Sequence, residues 1–256
     1  MDQTPDDLSE LFSNQQSRSG YVKQMFGEIA PKYDLVNRLM TFGLDARWRK
    51  TVARAAVAQN SGLVVDAGTG SGELALACAR LGAQTVIGLD FAMPMLENAQ
   101  TKSQNLGVPN SHFVSADATR LPLAANIADA WTGAFVLRNI PDLDGALQEA
   151  LRVLRPGGRL ITLYAARLEP RSLIQRLLAP GARFHFNKLV PLIGKLISGH
   201  SDAYQYLPMS AENFFTPTEF SLRLRKNGFE VLRSFEYVAG TVMLHIAMKP
   251  EAAPEK

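Results

Sequence analysis

Cysteine is all but missing from this 256-residue chain, since Cys78 stands alone. That excludes an internal disulfide and a thiolate metal cluster, and it suits a reducing compartment. With Leu74, Ala75 and Ala79 at helical spacing around it, Cys78 reads as a small packed hydrophobe. No apolar run approaches the roughly 18 to 20 residues that cross a bilayer. The start lacks a secretory pattern, because Asp2, Asp6, Asp7 and Glu10 stand where a basic region and an apolar stretch are needed. An excess of either charge is lacking too: 27 basic against 24 acidic residues leave +3. That is too little to name nucleic acid as a partner. A cytoplasmic protein without a resident metal is expected.

What is present is enough apolar material, 46% of residues, for one good core. Residues 1–19 are polar and aperiodic and read as a disordered tail; 250–256 form a second tail. A single domain over 20–249 is expected, with a helical lid at 20–60 and a basic insertion at 168–206. Within it, apolar runs alternate with helical patterns: strands at 63–67, 85–90, 111–116, 127–136 and 159–165, and helices at 72–81, 93–106 and 142–154. Such alternation predicts a parallel sheet covered on both faces. Thr216-Pro-Thr-Glu219 is a capping box opening a helix over 217–227. Two last strands, 229–237 and 241–248, flank Ala239-Gly240 as a hairpin and complete a seven-stranded sheet.

Leu63-Val-Val-Asp66-Ala-Gly68-Thr-Gly70-Ser71-Gly72-Glu73 is the most informative stretch. An apolar strand stops in an acid, and three alternating glycines allow close approach of a ligand to backbone N–H groups at a helix start. The dinucleotide fingerprint requires G-x-G-x-x-G; its third position here holds Glu73, which disfavours a nicotinamide oxidoreductase. Gly-x-Gly-x-Gly after an acid-terminated strand resembles motif I of the class I S-adenosylmethionine methyltransferases. Asp66, Asp90 and Asp117 follow the first three strands at the edge where open α/β sheets bind ligands. Asp90 lies 18 residues after Gly72, near the spacing of about 20 at which an acid meets ribose hydroxyls. Asp117 with Ala118 would then face an adenine amine, and Phe91 would pack on the ring. Gly68, Gly70 and Ser71 would hold the amino-acid end of the donor. Helix caps and loop acids are the alternative for the three aspartates, stronger for any one of them than for the set.

Outside that site, Phe26-Gly-Glu-Ile-Ala30-Pro-Lys-Tyr33-Asp34-Leu-Val-Asn37, Leu137-Arg138-Asn139-Ile-Pro-Asp142, Arg152-Val-Leu-Arg-Pro156-Gly-Gly158, Tyr204-Gln-Tyr-Leu207 and Gly240-Thr-Val-Met-Leu-His245 resemble the ubiquinone/menaquinone C-methyltransferases of the UbiE/MenG type. The resemblance runs from about residue 21 to 249. It implies a Rossmann-like α/β fold, S-adenosylmethionine as cofactor, S-adenosylhomocysteine as product, and methylation of a ring carbon of a prenylated quinol. Arg138 is the candidate to stabilise the phenolate, with Tyr33 on the lid and Asn139 holding the ring; an ion pair of Arg138 with Asp142 is the alternative. His245 reads as structural. Arg47, Trp48 and Arg49 frame an entrance or, for Trp48, anchor the core.

Residues 168–200 interleave apolar pairs with basic residues, a pattern that fits either a pair of helices peripheral at a membrane or an ordinary lid with a solvated basic face. Oligomeric state is left open. Three positions depart from the family pattern. Ala134-Phe-Val136 replaces Ser-Phe-Gly, and Tyr164 replaces a glutamate, so the cofactor edge is expected to be altered. Methylation of another lipophilic small molecule, or a silent cofactor-binding partner in a quinone-biosynthetic complex, are the competing functions.

Overall fold

A computed structural model describes residues 15–251 except 59, 60, 171, 199 and 200. Most of the two expected tails, 1–14 and 252–256, lies outside the described residues. Seven strands form one sheet: β1 (Leu63–Ala67), β2 (Thr85–Asp90), β3 (Ser111–Ser115), β4 (Ala128–Ala134), β5 (Leu154–Ala165), β6 (Glu230–Tyr237) and β7 (Val242–Met248). Their spatial order is β3-β2-β1-β4-β5-β7-β6. The first five run parallel, whereas β7 pairs antiparallel with both β5 and β6. This is the seven-stranded sheet with a terminal hairpin that the alternation of apolar runs predicts. The order reverses between β1 and β4, and ligands bind at the carboxyl ends of strands at such a switch point.

Helices cover both faces because each carries one apolar stripe. On one side α3 (Leu44–Val57) and α4 (Glu73–Arg80) bury Trp48, Val52, Leu74 and Cys78 against β1, β2, β4 and β5. On the other, α6 (Leu143–Val153) and α10 (Pro217–Lys226) bury Leu143, Leu147, Phe220 and Leu224 with Trp131 and Tyr164. Helix α5 (Met93–Leu106) lies beyond β2. The capping box at Thr216 forms, with Glu219 N–H donating to Thr216 Oγ1 at 3.3 Å and Thr216 N–H to Glu219 Oε2 at 2.8 Å.

Two boundaries differ from the sequence reading. Helix α1 (Gln15–Ile29) begins inside the segment expected to be a tail, held by Val22, Met25 and Ile29, which are buried. Strand β5 starts at Leu154, because Leu154 pairs with Ala128 before the register jumps to Ala130↔Arg159, and residues 155–158 bulge outward through Gly157 at φ +74°. In the basic segment, where a pair of helices and an ordinary lid were the two alternatives, α7 (Leu173–Phe184), a π turn (His185–Leu189) and α8 (Val190–Ser198) follow one another without a gap. Ser172 opens this run with a capping box to Gln175. Helix α2 (Tyr33–Met40) and helix α9 (Ser201–Glu212) join α1 and α8 in a third apolar cluster over the carboxyl edge of the sheet.

Candidate active site

The turn after β1 is built around an acid that faces inward. Asp66 is 1% exposed, and its two oxygens accept from Thr69 Oγ1 and Thr132 Oγ1, each at 2.8 Å. Burial pushes its carboxyl up to about 6, against the opposing effect of those two hydroxyl bonds. Asp66 therefore braces the turn from β1 to β4 and lines none of the three cavities described below, although a cofactor contact is what its place after β1 led us to expect. Ser71 likewise lines none of them, and its hydroxyl donates to Asp34 Oδ1 at 2.5 Å. Asp34 also pairs with Lys102, which bonds Glu73 at 2.7 Å, and so α2 is tied to the glycine turn and to α5.

The other expected donor residues converge. A cavity of about 360 Å³ is lined by Gly68, Asp90, Phe91, Asp117 and Ala118, with Asn139 and Val136 from beyond β4. A small cavity of about 30 Å³ continues it past Gly70, Ala134 and Tyr33. Asp90 accepts from Gly70 N–H at 2.9 Å and Ala92 N–H at 3.0 Å, and burial raises its carboxyl above the ordinary value despite those bonds. Asp117 Oδ1 takes both the N–H and the hydroxyl of Thr119 at 2.8 Å. Asn139 is 5% exposed, and its Oδ1 has no hydrogen-bond partner among the described residues.

These residues fit S-adenosylmethionine. The ligand is a cation with a ribose diol and an adenine, and here two acids and an unsatisfied amide oxygen border one cavity. Gly70, at φ +54°, lets the backbone come up against that space. Val136 fits less simply: a Cβ on Gly68 would stand 2.1 Å from its Cγ2, so the valine lies directly over that glycine. It separates the larger cavity from the smaller, and both are lined by it. Phe135 before it sits at φ +60°, a costly conformation for an aromatic residue.

A third cavity, about 240 Å³ and mostly apolar, lies on the other side of Tyr33 and Phe135, which border it and the small donor cavity alike. Arg138 lines it, 6% exposed. Its Nη1 donates to Ser210 Oγ at 2.5 Å and to Leu207 O at 3.2 Å, and its Nε has no partner among the described residues. Burial pushes the guanidinium below its usual value, with the Tyr206 and Tyr33 phenols acting in the opposite direction. Asp142 does not pair with it, but caps α6 by accepting from Gly145 N–H at 2.9 Å. Asn139 faces the donor cavity and is absent from the wall around Arg138. The 3₁₀ turn Leu137–Asn139 explains this, because successive side chains point a third of a turn apart.

Arg49, expected at the entrance, stands on this wall with a partner, Asp45, that had only a faint sequence signal. Asp45 and Arg49 form a buried ion pair on α3, and Arg49 lies 5.7 Å from the Phe135 ring centre. Their i, i+4 spacing in Asp45-Ala-Arg-Trp48-Arg49 was the available clue. Ser210 and Leu207, the partners of Arg138, had none beyond the Tyr204-Gln-Tyr-Leu207 motif. Trp48 is buried against Phe135 and Tyr237 and also borders the cavity.

Of the three departures, Ala134 and Val136 stand at the donor edge, but Tyr164 does not. It is fully buried, 3.2 Å from His245 Nδ1, and packed on Phe214 and Phe220. Strand alternation turns it into the core while Ala165 meets the acceptor-side cavity. His245 also meets Ser221 Oγ at 2.8 Å through Nε2, a structural placement as expected.

The model of the ubiE/COQ5 methyltransferase family matches residues 14–249. A demethylmenaquinone methyltransferase of Thermus thermophilus is 39% identical over 228 residues, covering 88% of this chain and 100% of that protein. A ubiquinone/menaquinone biosynthesis C-methyltransferase, UbiE, of Rickettsia felis is 35% identical over 238 residues, 91% of this chain and 94% of that one. Among solved structures, a SAM-dependent methyltransferase of Aquifex aeolicus is similar with a TM-score of 0.53 at 21% identity, covering 73% of this chain and 81% of its own. The cyclase SpnF reaches 0.66 at 18% identity over 90% and 96% of the two chains. At such identity the likeness concerns the fold, and a fold alone does not name a reaction. The family match and the two sequence relatives do more: the chain belongs to the ubiE/COQ5 methyltransferase family and is an S-adenosylmethionine-dependent methyltransferase.

Proposed function

We propose that the chain methylates a ring carbon of a prenylated quinol, most simply demethylmenaquinol, in quinone biosynthesis. One observation carries the reading: Arg138, a buried cation on an apolar wall, is bonded only to neutral oxygens among the described residues. A buried charge without a counter-charge is costly. An acceptor that becomes an anion in that cavity would supply the missing partner.

When bound, S-adenosylmethionine supplies an electrophilic methyl group on a sulfonium that leaves as a neutral thioether. The chain's own task is the acceptor. A quinol hydroxyl ionises near the phenol value of about 10, so a phenolate at neutral pH costs about 4 kcal/mol. Arg138 stays protonated and offsets that cost electrostatically in a mostly apolar cavity. Tyr33, between the two cavities, orients the ring towards the donor side. Asp90 and Asp117 hold the ribose and adenine, Phe91 packs on the base, and Gly68 and Gly70 leave room for the donor's backbone contacts. Asn139 Oδ1 accepts from the donor instead of holding the acceptor ring. The helices over 20–60 act as the lid of one methyltransferase domain.

Arg138→Ala tests this. With labelled cofactor and demethylmenaquinol, turnover should fall about 10²- to 10³-fold, the cost of removing one preorganised electrostatic stabiliser. Calorimetric affinity for S-adenosylhomocysteine should stay within twofold, as only the acceptor side is altered. Wild-type turnover would remove Arg138 from the chemistry.

A further inference from the structure

The helical run from Leu173 to Ser198 presents a contradiction that its own packing does not resolve. Of α7 only Ala179 is buried, while Leu173, Leu177 and Leu196 are between 76% and 83% exposed. Phe42, at the end of the loop after α2, is 77% exposed on the adjoining surface, its ring 5.5 Å from that of His185. An ordinary solvent-facing helix is polar on its outer side; this one is apolar there, and contiguous exposed apolar surface marks an interaction site.

Charge narrows the partner. From Pro170 to Ser201 the sequence contains no acidic residue, but it contains Arg171, Arg176, Arg183, Lys188 and Lys195. Arg176, Arg183, Lys188 and Lys195 are exposed. Exposed basic side chains on the same helical run as exposed leucines suit an interface with acyl chains on one side and anionic headgroups on the other. Two copies of this face would repel each other.

The acceptor cavity adds a functional reason. Its rim includes Phe42, Ala182, His185, Phe186 and Val190, so it opens beside the apolar strip, at the π turn. A cavity of about 240 Å³ leaves room for a quinol ring. A long prenyl tail has to continue outside it.

We infer that the face formed by α7, the π turn, α8 and Phe42 docks on an anionic lipid surface, with the cavity mouth against the bilayer so that the ring enters while the tail stays in lipid. The inference rests on the proposed acceptor for its purpose, but lipid binding is measured without any acceptor.

The full-length protein is mixed with vesicles of phosphatidylcholine alone or with phosphatidylglycerol added, and bound protein is read after flotation. Binding is expected only with the anionic lipid and should weaken at high salt. Lys188→Glu/Lys195→Glu should reduce vesicle affinity roughly twentyfold or more. Leu177→Glu/Leu196→Glu should abolish flotation at any salt. In both variants, circular dichroism and turnover on a short-chain, water-soluble quinol should match the unsubstituted protein. Equal flotation with both vesicle types, or unchanged flotation of either variant, overturns the docking. So would a stable dimer in ultracentrifugation that persists with vesicles present and is broken by Leu177→Glu/Leu196→Glu. If vesicles bind but no quinol is methylated, the acceptor assignment fails and the docking stands; methylation of soluble quinol without flotation gives the converse.

Discussion

Asp66 shows how one residue's environment decides its part. The sequence placed it at the end of β1 with two other acids, and all three looked alike as ligand groups. Only the fold reveals that Thr132, on the neighbouring β4, and Thr69, in the turn, each donate to one of its oxygens. Partners that lie far apart in sequence leave no local trace. The energetic consequence is testable. Burial holds the carboxyl near 6 against an ordinary 3.8, so the folded state binds a proton more readily than the unfolded state between those values. Stability from this group is therefore greatest below about 4 and is lost as pH rises through about 6, by on the order of 3 kcal/mol. Urea unfolding of the protein should show that decline between pH 4 and 6. Asp66→Asn should flatten it, and an unchanged slope would mean that another group is responsible. Val136 carries the opposite lesson: its departure from the family glycine was visible in the sequence, and its position over Gly68 makes the difference structural.

At the scale of elements, the strands were legible because runs such as Leu63-Val-Val and Val86-Ile-Gly-Leu are buried on both faces and end in acids or glycines. The boundaries of α5 and α10 were set by punctuation that acts locally: Pro94, Gly107, Thr216-Pro217 and Asn227-Gly228. The helical run over 173–198 fitted either a pair of helices or an ordinary lid, and it carries Pro180, Gly181, Pro191 and Gly194, which are breakers in isolation. A π turn absorbs the irregularity and keeps the run continuous. Least legible was the tie between elements, in which Asp34 on α2 takes Ser71 from the glycine turn and Lys102 from α5. That tie positions Tyr33, one residue before Asp34, whose ring stands 3.9 Å from where a Cβ on Gly70 would lie. Ser71→Ala removes one bond to the carboxylate while Lys102 remains. Affinity for S-adenosylhomocysteine should fall about fivefold, near 1 kcal/mol for a part-exposed charged bond, and kcat should change less than twofold. A fall in kcat with unchanged affinity would place Asp34 in the acceptor chemistry instead.

For the molecule as a whole, the apolar clusters describe a division of labour. Two lie against the faces of the sheet and bury most of its strands. The third holds α1, α2, α8 and α9 together through Val22, Met25, Val36, Val190 and Tyr204, and reaches Ala92 and Met95 beside the donor cleft. The helices over the site thus have a core of their own, which meets the sheet at the donor cleft through Phe91 and Phe26. If the donor closes that junction, its binding should be felt in the N-terminal helices as strongly as in the glycine turn. A ligand at a hundredfold its Kd stabilises the bound form by about 2.7 kcal/mol, a near-hundredfold slowing of any opening that releases it. Hydrogen exchange with saturating S-adenosylhomocysteine should therefore slow by a similar factor at residues 68–72, in α1 and in α2. The amides of α7, which bury only Ala179, should exchange at an unaltered rate. Protection confined to the glycine turn would mean that the helices over the site open independently of the cofactor, and that closure depends on the acceptor and its lipid surface.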